Sequence, residues 1–284
     1  MPGVAVVTDS TSYLPQELLD AGDVRIVSLY INWPDGTSER EADMPGFDGF
    51  YERLRAARDL PTTSQPSIGD FLDVYEPLLA EGNEIVSVHI SGGISGTVET
   101  ARQAAEQAGG DRITVIDSRT TAGGLGCLIV AAAAAARSGG GRQATVDRVH
   151  QARSKLKIWF AVDTLDFFER GGRIGKAQAM LGSALKIKPI LSIESEIVPI
   201  ERVRTSSRAF DRLVDYMRAR KGDGADGWVI QHIQSPDVAE RLVDAGRELF
   251  GTEPVFVSEV GPVLGTHAGP GMLGVGGCPR SLMT

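Results

Sequence analysis

The chain has 284 residues, with 29 Lys and Arg against 37 Asp and Glu, a formal charge of −8. That acidic balance, with only 6% aromatics, argues against a nucleic-acid partner, which asks for a basic face or a stacking platform. At roughly 150 residues per domain the length predicts two domains.

Two cysteines, Cys127 and Cys278, form no framework and no CxxC pair, and are read as reduced thiols of a cytoplasmic protein. The opening MPGVAVVTDSTS has no basic region and too short an apolar run for a secretory signal. The longest apolar stretch, Leu125 to Ala136, falls short of the roughly 18 residues of a membrane span and reads as a helix buried against a sheet.

In chain order, Val4 to Thr8 is a first apolar strand, followed by the polar loop Asp9–Ser12 and a helix opened by Pro15. Arg25 to Ile31 reads as one strand, Tyr51 to Leu60 as a helix, and Pro61 to Pro66 as a polar loop. Ser67 and Asp70 form a capping box for a helix over Ile68–Ala80. Glu84 to Ile90 is a strand, Ser91–Thr97 a Gly/Ser loop, and a helix then runs to about Ala108. Arg112 to Ile116 is the next strand, followed by Asp117-Ser118, a Thr/Gly loop and the Ala-rich helix. Alternating strands and helices of this kind predict parallel βαβ units and an α/β/α domain over residues 1–154.

A helix over about Thr145–Leu156 carries the chain across a boundary near Lys155. Beyond it, Ile158–Val162 reads as a strand, Ile174–Leu185 as helical, and Lys188–Ile193 with Ile197–Val203 as paired strands. Thr205 or Ser206 caps a helix with Phe210, Leu213, Val214 and Met217 on one face. Trp228–Ile233 is a strand, Pro236–Phe250 a helix between Ser235 and Gly251, and Pro254–Val257 another strand. Residues 155–284 therefore read as an α+β domain.

Open parallel sheets bind ligands beyond the carboxyl ends of their strands. There the loops Asp9–Ser12, Ser91–Thr97 and Asp117–Thr121 gather hydroxyls and glycines. Ser91-Gly-Gly-Ile-Ser-Gly-Thr97 leads into a helix N-terminus, which suits an anion; a plain N-cap role for Ser95 or Thr97 fits equally. His267, among the glycines of GTHAGPG, reads as exposed or backbone-crowded rather than core-packed. His89, His150 and His232 read as structural. Asp9 reads as an Asx turn or cap at a strand end, or else as an acid/base group or a magnesium ligand. No spacing matches a metal site, and no GxSxG elbow occurs. Basic residues cluster at Arg170, Arg173 and Lys176, then at Arg202, Arg204, Arg208 and Arg212, either as solvated faces or as a docking patch for an acidic partner or phosphate.

Taken together, Asp9-Ser-Thr-Ser12, Thr63-Ser-Gln-Pro66, Ile94-Ser-Gly-Thr97, Asp117-Ser118, Arg170-Gly-Gly-Arg-Ile174, Val203-Arg-Thr205 and His267-Ala-Gly-Pro-Gly271 follow in an order that resembles the DegV family. That family includes the fatty-acid-binding subunits of bacterial fatty acid kinase. The resemblance implies an α/β domain, an α+β domain and a ligand pocket at their junction. It implies one long-chain fatty acid, its tail in an apolar tunnel and its carboxylate held by Thr63, Ser95 and His267. Ser64, Gly96 and Thr97 would line the same pocket. The chain would be a substrate carrier without catalytic group, metal or cofactor, acting with an ATP-binding kinase and touching membranes at most peripherally. Arg170, Arg173, Arg202 or Arg204 would contact the kinase or the nascent phosphate. Val98 departs from the family, where an aromatic is frequent, so the tunnel wall is expected to differ there. The tail after Gly277 carries no family feature. Two other readings are a phosphotransfer or hydrolytic enzyme using Asp9 and His267, and a lipid sensor without a kinase. A monomer is the default.

Overall fold

The computed structural model describes residues 3–181 and 187–284. Its strands begin with β1 (Val4–Asp9), β2 (Val24–Val27), β3 (Tyr30–Asn32), β4 (Ser38–Arg40), β5 (Thr62–Ser64), β6 (Glu84–His89) and β7 (Ile113–Asp117). They continue with β8 (Lys157–Ala161), β9 (Lys188–Glu194), β10 (Glu196–Val203), β11 (Gly227–His232), β12 (Phe256–Glu259) and β13 (Leu273–Cys278). The first helices are α1 (Gln16–Gly22), α2 (Asp48–Ala56), α3 (Ile68–Ala80), α4 (Thr97–Gln107), α5 (Ala122–Arg137) and α6 (Gly141–Lys155). α7 (Asp166–Arg170), α8 (Ser206–Gly222), α9 (Pro236–Phe250) and α10 (Pro262–Ala268) follow.

The order β2-β1-β6-β7 makes the expected parallel sheet. Successive residues of β1 face opposite sides. Ala5 and Val7 share a core with Phe71 and Tyr75 of α3 and Ala101 and Ala104 of α4. Val6 packs instead with Leu125 and Leu128 of α5. The second sheet runs β10-β9-β8-β13-β11-β12 and is antiparallel except between β11 and β12. Leu213 and Met217 of α8 and Leu242 of α9 cover its outer face over Trp228 and Ile230.

α5 lies between the two sheets. Its core cluster joins Val86 and Val88 of the first sheet to Ile158, Val229 and Cys278 of the second. A helix flanked by sheets on two sides is apolar nearly all round, which explains its resemblance to a short membrane span. The alanines from Ala131 to Ala135 keep it narrow. Among the described residues no helix is long and apolar enough to cross a membrane. The C-terminal tail is structural: Met283 is buried in the same cluster, and Arg148 of α6 donates to the carbonyls of Leu282 and Thr284.

Several elements depart from expectation. Arg25–Ile31 is not one strand. Beyond Val27 the β1 ladder ends, Leu29 N–H donates to the Ser10 hydroxyl at 3.2 Å, and the chain turns away. It then pairs antiparallel in a small sheet, β4-β3-β5. Thr62–Ser64, read as loop, is therefore the strand β5. The helix expected over Tyr51–Leu60 lies earlier, at Asp48–Ala56: Ala57 leaves the helical conformation, and the chain bends through 58–59 before Pro61. Within the expected helix 174–185, Gly175–Met180 is a 3-10 helix, and residues 182–185 lie outside the described residues.

Candidate functional site

A cavity of about 300 Å³ opens where the two sheets' loops meet. Its floor is the inner face of the second sheet, with Ile158 and Phe160 from β8, Ile193 from β9, Ile197 from β10 and Gly274 from β13. Its roof is α10, through Val263, Leu264, His267 and Ala268. The polar end is built by Thr63, Ser64 and Gln65 after β3 pairs with β5, and by Ser95 and Gly96 ahead of α4. Most of the wall is apolar, and Arg173 is its charged residue among those described.

The small sheet brings two expected residues together. Thr63 Oγ1 lies 2.9 Å from His267 Nε2. His267 is not a loop residue held in the open. It sits on α10, 8% exposed, with Gly171 pressed against its ring, where an added Cβ would stand 2.2 Å from Nδ1. Its Nδ1 has no partner among the described residues. Burial first, then the nearby Arg173 guanidinium, pushes its pKa down to about 4, so the ring is neutral at pH 7.

Ser95 lines the cavity, and it is not the N-cap of α4, a position held by Gly96. Its Oγ accepts from Thr97 N–H at 3.3 Å and lies 2.8 Å from Thr97 Oγ1. Thr97 itself is fully buried, one hydrogen bond behind Ser95, and is not among the cavity-lining residues. A Cβ on Gly96 would stand 2.2 Å from Gln65 Oε1, so a side chain there would displace the Gln65 amide, whose Nε2 donates to Thr100 Oγ1. Val98 is likewise buried away from the wall, so the departure at that position does not alter it.

Of the basic residues, Arg173 reaches the cavity and anchors Nη1 on the Gly171 carbonyl at 2.9 Å. Arg170 ends α7 at the surface. Arg202 is exposed and donates to the Ala179 carbonyl, on the 3-10 turn that follows Arg173. Arg204 is exposed before α8. Arg212 is committed to Glu201 and Asp215.

The reading that paired Asp9 with His267 is overturned. Asp9 is fully buried and does not line the cavity. Its carboxylate accepts from Thr11 N–H and Oγ1, from Ile90 N–H at 2.8 Å, and lies 3.0 Å from His89 Nδ1. His89 Nε2 lies 2.6 Å from Ser87 Oγ, which meets Tyr75 OH at 2.7 Å. This Asp–His–Ser chain has the connectivity of a hydrolase triad. All three side chains are fully buried, however, so the chain joins β1, β6 and α3 rather than meeting a substrate.

Glu41 was missed because its run of charged neighbours, Ser38 to Asp43, reads as surface. It is 3% exposed and accepts from Ser10 Oγ at 2.6 Å, Tyr13 OH at 2.9 Å and Val263 N–H at 2.7 Å. It thus holds the start of the helix that carries His267. Burial outweighs these bonds and lifts its pKa to about 7. Among the described residues, no three His, Cys, Asp or Glu side chains converge as metal ligands.

The β9–β10 turn seals the rim beside Ile193 and Ile197. Ser195 carbonyl accepts from Ser91 Oγ at 2.7 Å, and Ser195 N–H donates to the Arg119 carbonyl at 2.9 Å. A Cβ on Gly93 would stand 2.3 Å from that Ser195 carbonyl. Gly93→Ala is therefore expected to lower stability by about 1–3 kcal/mol, measured by urea unfolding.

Chemically, the cavity suits one amphiphile: an apolar body of space, closed at one end by hydroxyls, a neutral imidazole and a single rim cation. A family model described as "Uncharacterised protein, DegV family" matches residues 3–280. A DegV domain-containing protein of Halalkalibacterium halodurans is 36% identical, covering 97% of this chain and 98% of its own. The solved structure of a fatty-acid-binding DegV family protein from Thermus thermophilus has a TM-score of 0.88 at 34% identity, covering 98% of this chain and 99% of that one. DegV of Bacillus subtilis, solved as a fatty acid binding protein, has a TM-score of 0.89 at 30% identity over the same shares.

Proposed function

The chain belongs to the DegV family, and on that premise we propose that it is a cytoplasmic fatty-acid carrier that presents its cargo to a separate ATP-dependent fatty acid kinase. The tail lies in the apolar part of the cavity, and Thr63, Ser95 and His267 hold the carboxylate, with Ser64 and Gly96 beside it. The observation that carries this reading is the Thr63–His267 pair set at the polar end of an otherwise apolar cavity. The fatty-acid binding of the Thermus thermophilus and Bacillus subtilis proteins supports it.

The physics favours this division of labour. Each buried CH₂ contributes about 0.8 kcal/mol, so a long tail supplies the affinity. Neutral donors hold one carboxylate without a buried Lys or Arg beneath it. Arg173, at the rim, stands where the charge of a transferred phosphoryl group develops. Arg170, Arg202 and Arg204 lie on the outer surface and would meet the kinase or that phosphate.

Denaturing the purified protein and extracting it should release one equivalent of a long-chain fatty acid by mass spectrometry. Absence of lipid, together with no uptake of added palmitate or oleate, would sink the carrier reading. With a fatty acid kinase and ATP, acyl phosphate should form only when both proteins are present. Lipid uptake without acyl phosphate would leave a lipid sensor instead.

A further inference from the structure

β13 carries an unusual run, Gly274, Gly276 and Gly277, in the middle of the second sheet. Glycine in a strand interior weakens it, so each one asks for a local reason. Two are packing requirements. A Cβ on Gly276 would stand 2.2 Å from Ile158 Cδ1, and one on Gly277 2.1 Å from the Gly227 carbonyl oxygen. Gly274 is different. A Cβ there would meet its three nearest atoms at 3.6 Å (Met272 Sδ), 3.7 Å (Phe160 Cβ) and 3.9 Å (Gln231 Cβ), all ordinary contacts. Its φ is not positive either, so the backbone does not demand glycine.

Phe160 and Gln231 are the cross-strand partners of Gly274, and Met272 precedes it by two residues on the same face. All four residues line the cavity. A side chain at 274 would therefore grow into the cavity, and what it would displace is the occupant. Beside it, Gln231 closes the wall with a fixed polar group. Its Oε1 accepts from Gly123 N–H at the start of α5, and its Nε2 donates to Ser258 Oγ at 2.9 Å. With both ends of the amide engaged, Gln231 does not swing aside for an apolar chain.

The carboxylate end lies elsewhere. Val260 N–H bonds the His232 carbonyl, next to Gln231, and α10 then leads away to His267. From Pro262, at the start of α10, to His267 is five residues, about 7.5 Å at a rise of about 1.5 Å per residue.

We propose that Gly274, backed by Gln231, is the acyl-length ruler of the cavity: the absent side chain leaves room along the wall for carbons of a straight-chain carboxylic acid, and the fixed Gln231 amide keeps that room from widening. The proposal rests on the fatty-acid reading above and deepens it by assigning the residue that sets chain length.

The test is competitive uptake. Delipidated protein is offered an equimolar mixture of saturated acids from 12 to 18 carbons, repurified, extracted and analysed by mass spectrometry. Gly274→Val adds three carbons to the wall and should shift the preferred length down by about two to three carbons. Each methylene kept out of the cavity should cost about fourfold in affinity, so preference for the longest acid over the parent optimum falls steeply. Gly274→Ala should shift the distribution the same way by about one carbon, and it decides the matter if the valine variant does not fold. An unchanged length distribution in a folded variant, with the parent still loading acids, overturns the ruler alone. No acid taken up by the parent overturns the carrier reading and the ruler with it.

Discussion

Replacing His267 with alanine is expected to cut phosphorylation of the bound acid at least about a hundredfold while leaving its uptake within about tenfold of the parent. The two effects separate because different parts of the ligand carry them. On the carrier reading, affinity comes from the tail, at about 0.8 kcal/mol per buried CH₂, and the imidazole meets the carboxylate instead. Transfer to the carboxylate needs its oxygen held in line with the donor phosphate, where an error of about 1 Å costs on the order of a hundredfold. Thr63 Oγ1 is the partner of His267 Nε2, so removing the ring also frees the Thr63 hydroxyl. Ser95→Ala should act in the same direction. It also removes the acceptor for Thr97 N–H at the start of α4, so about 1 kcal/mol of stability should go with it. Uptake is read by extraction and mass spectrometry, transfer by acyl phosphate formed with kinase and ATP, and folding by thermal denaturation. If both variants supported full acyl phosphate formation, the carboxylate would be held by other groups.

The parts of this architecture legible in the sequence are those whose signals are local. The capping box is one: Ser67 Oγ accepts from Asp70 N–H, and Asp70 returns a bond to Ser67 N–H. Thr205 caps α8 through Arg208 N–H, and Gly251 takes the left-handed conformation that ends α9. Ser235 shows the limit of such signals. It stands where a cap is expected, yet its hydroxyl donates to the Ile233 carbonyl and caps nothing. Continuous apolar runs gave away β1, β6 and β7 for the same reason, since strands covered on both faces need no alternation.

What escaped the sequence depends on pairings far apart along the chain. β3, β4 and β5 are three residues each, too short for a period to register. Yet they place Thr63 against His267, 204 residues away. Ser87 and His89 share one face of β6, an alternation visible in the sequence, but only the β1–β6 pairing shows that Asp9 completes their chain. Glu41 reads as a surface acid until Val263, 222 residues on, is seen to donate to it. The Thr63, Ser95 and His267 cluster was therefore legible through family resemblance, and the helix that buries His267 was not.

Wild-type stability contributed by Glu41 and His267 is expected to be nearly flat between about pH 4.5 and 6.5, and single variants should unmask two opposite slopes. His267 is pushed down to about 4 in the fold, against 6.5 for a free imidazole. Between those values the unfolded chain binds the proton first, so stability is present above about pH 6.5 and lost as pH falls to about 4. Glu41 is lifted to about 7, against 4.5. Between those values the unfolded carboxyl has ionised while the buried one has not, so stability is present below about pH 4.5 and lost as pH rises to about 7. Each shift corresponds to roughly 3 kcal/mol, and the two cancel over most of the shared window. Glu41→Gln should leave a stability that rises with pH from 4.5 to 6.5, and His267→Ala one that falls; urea unfolding of the delipidated proteins at four pH values reads both. A flat profile in His267→Ala would show that Glu41 is not held protonated by burial. Loading makes a further demand on the same pair. A fatty-acid carboxylate beside His267 favours its charged form and raises its pKa. The acid-side loss in the loaded parent should therefore be smaller than in the delipidated one, whereas the Glu41 slope, set at the other end of α10, should not move.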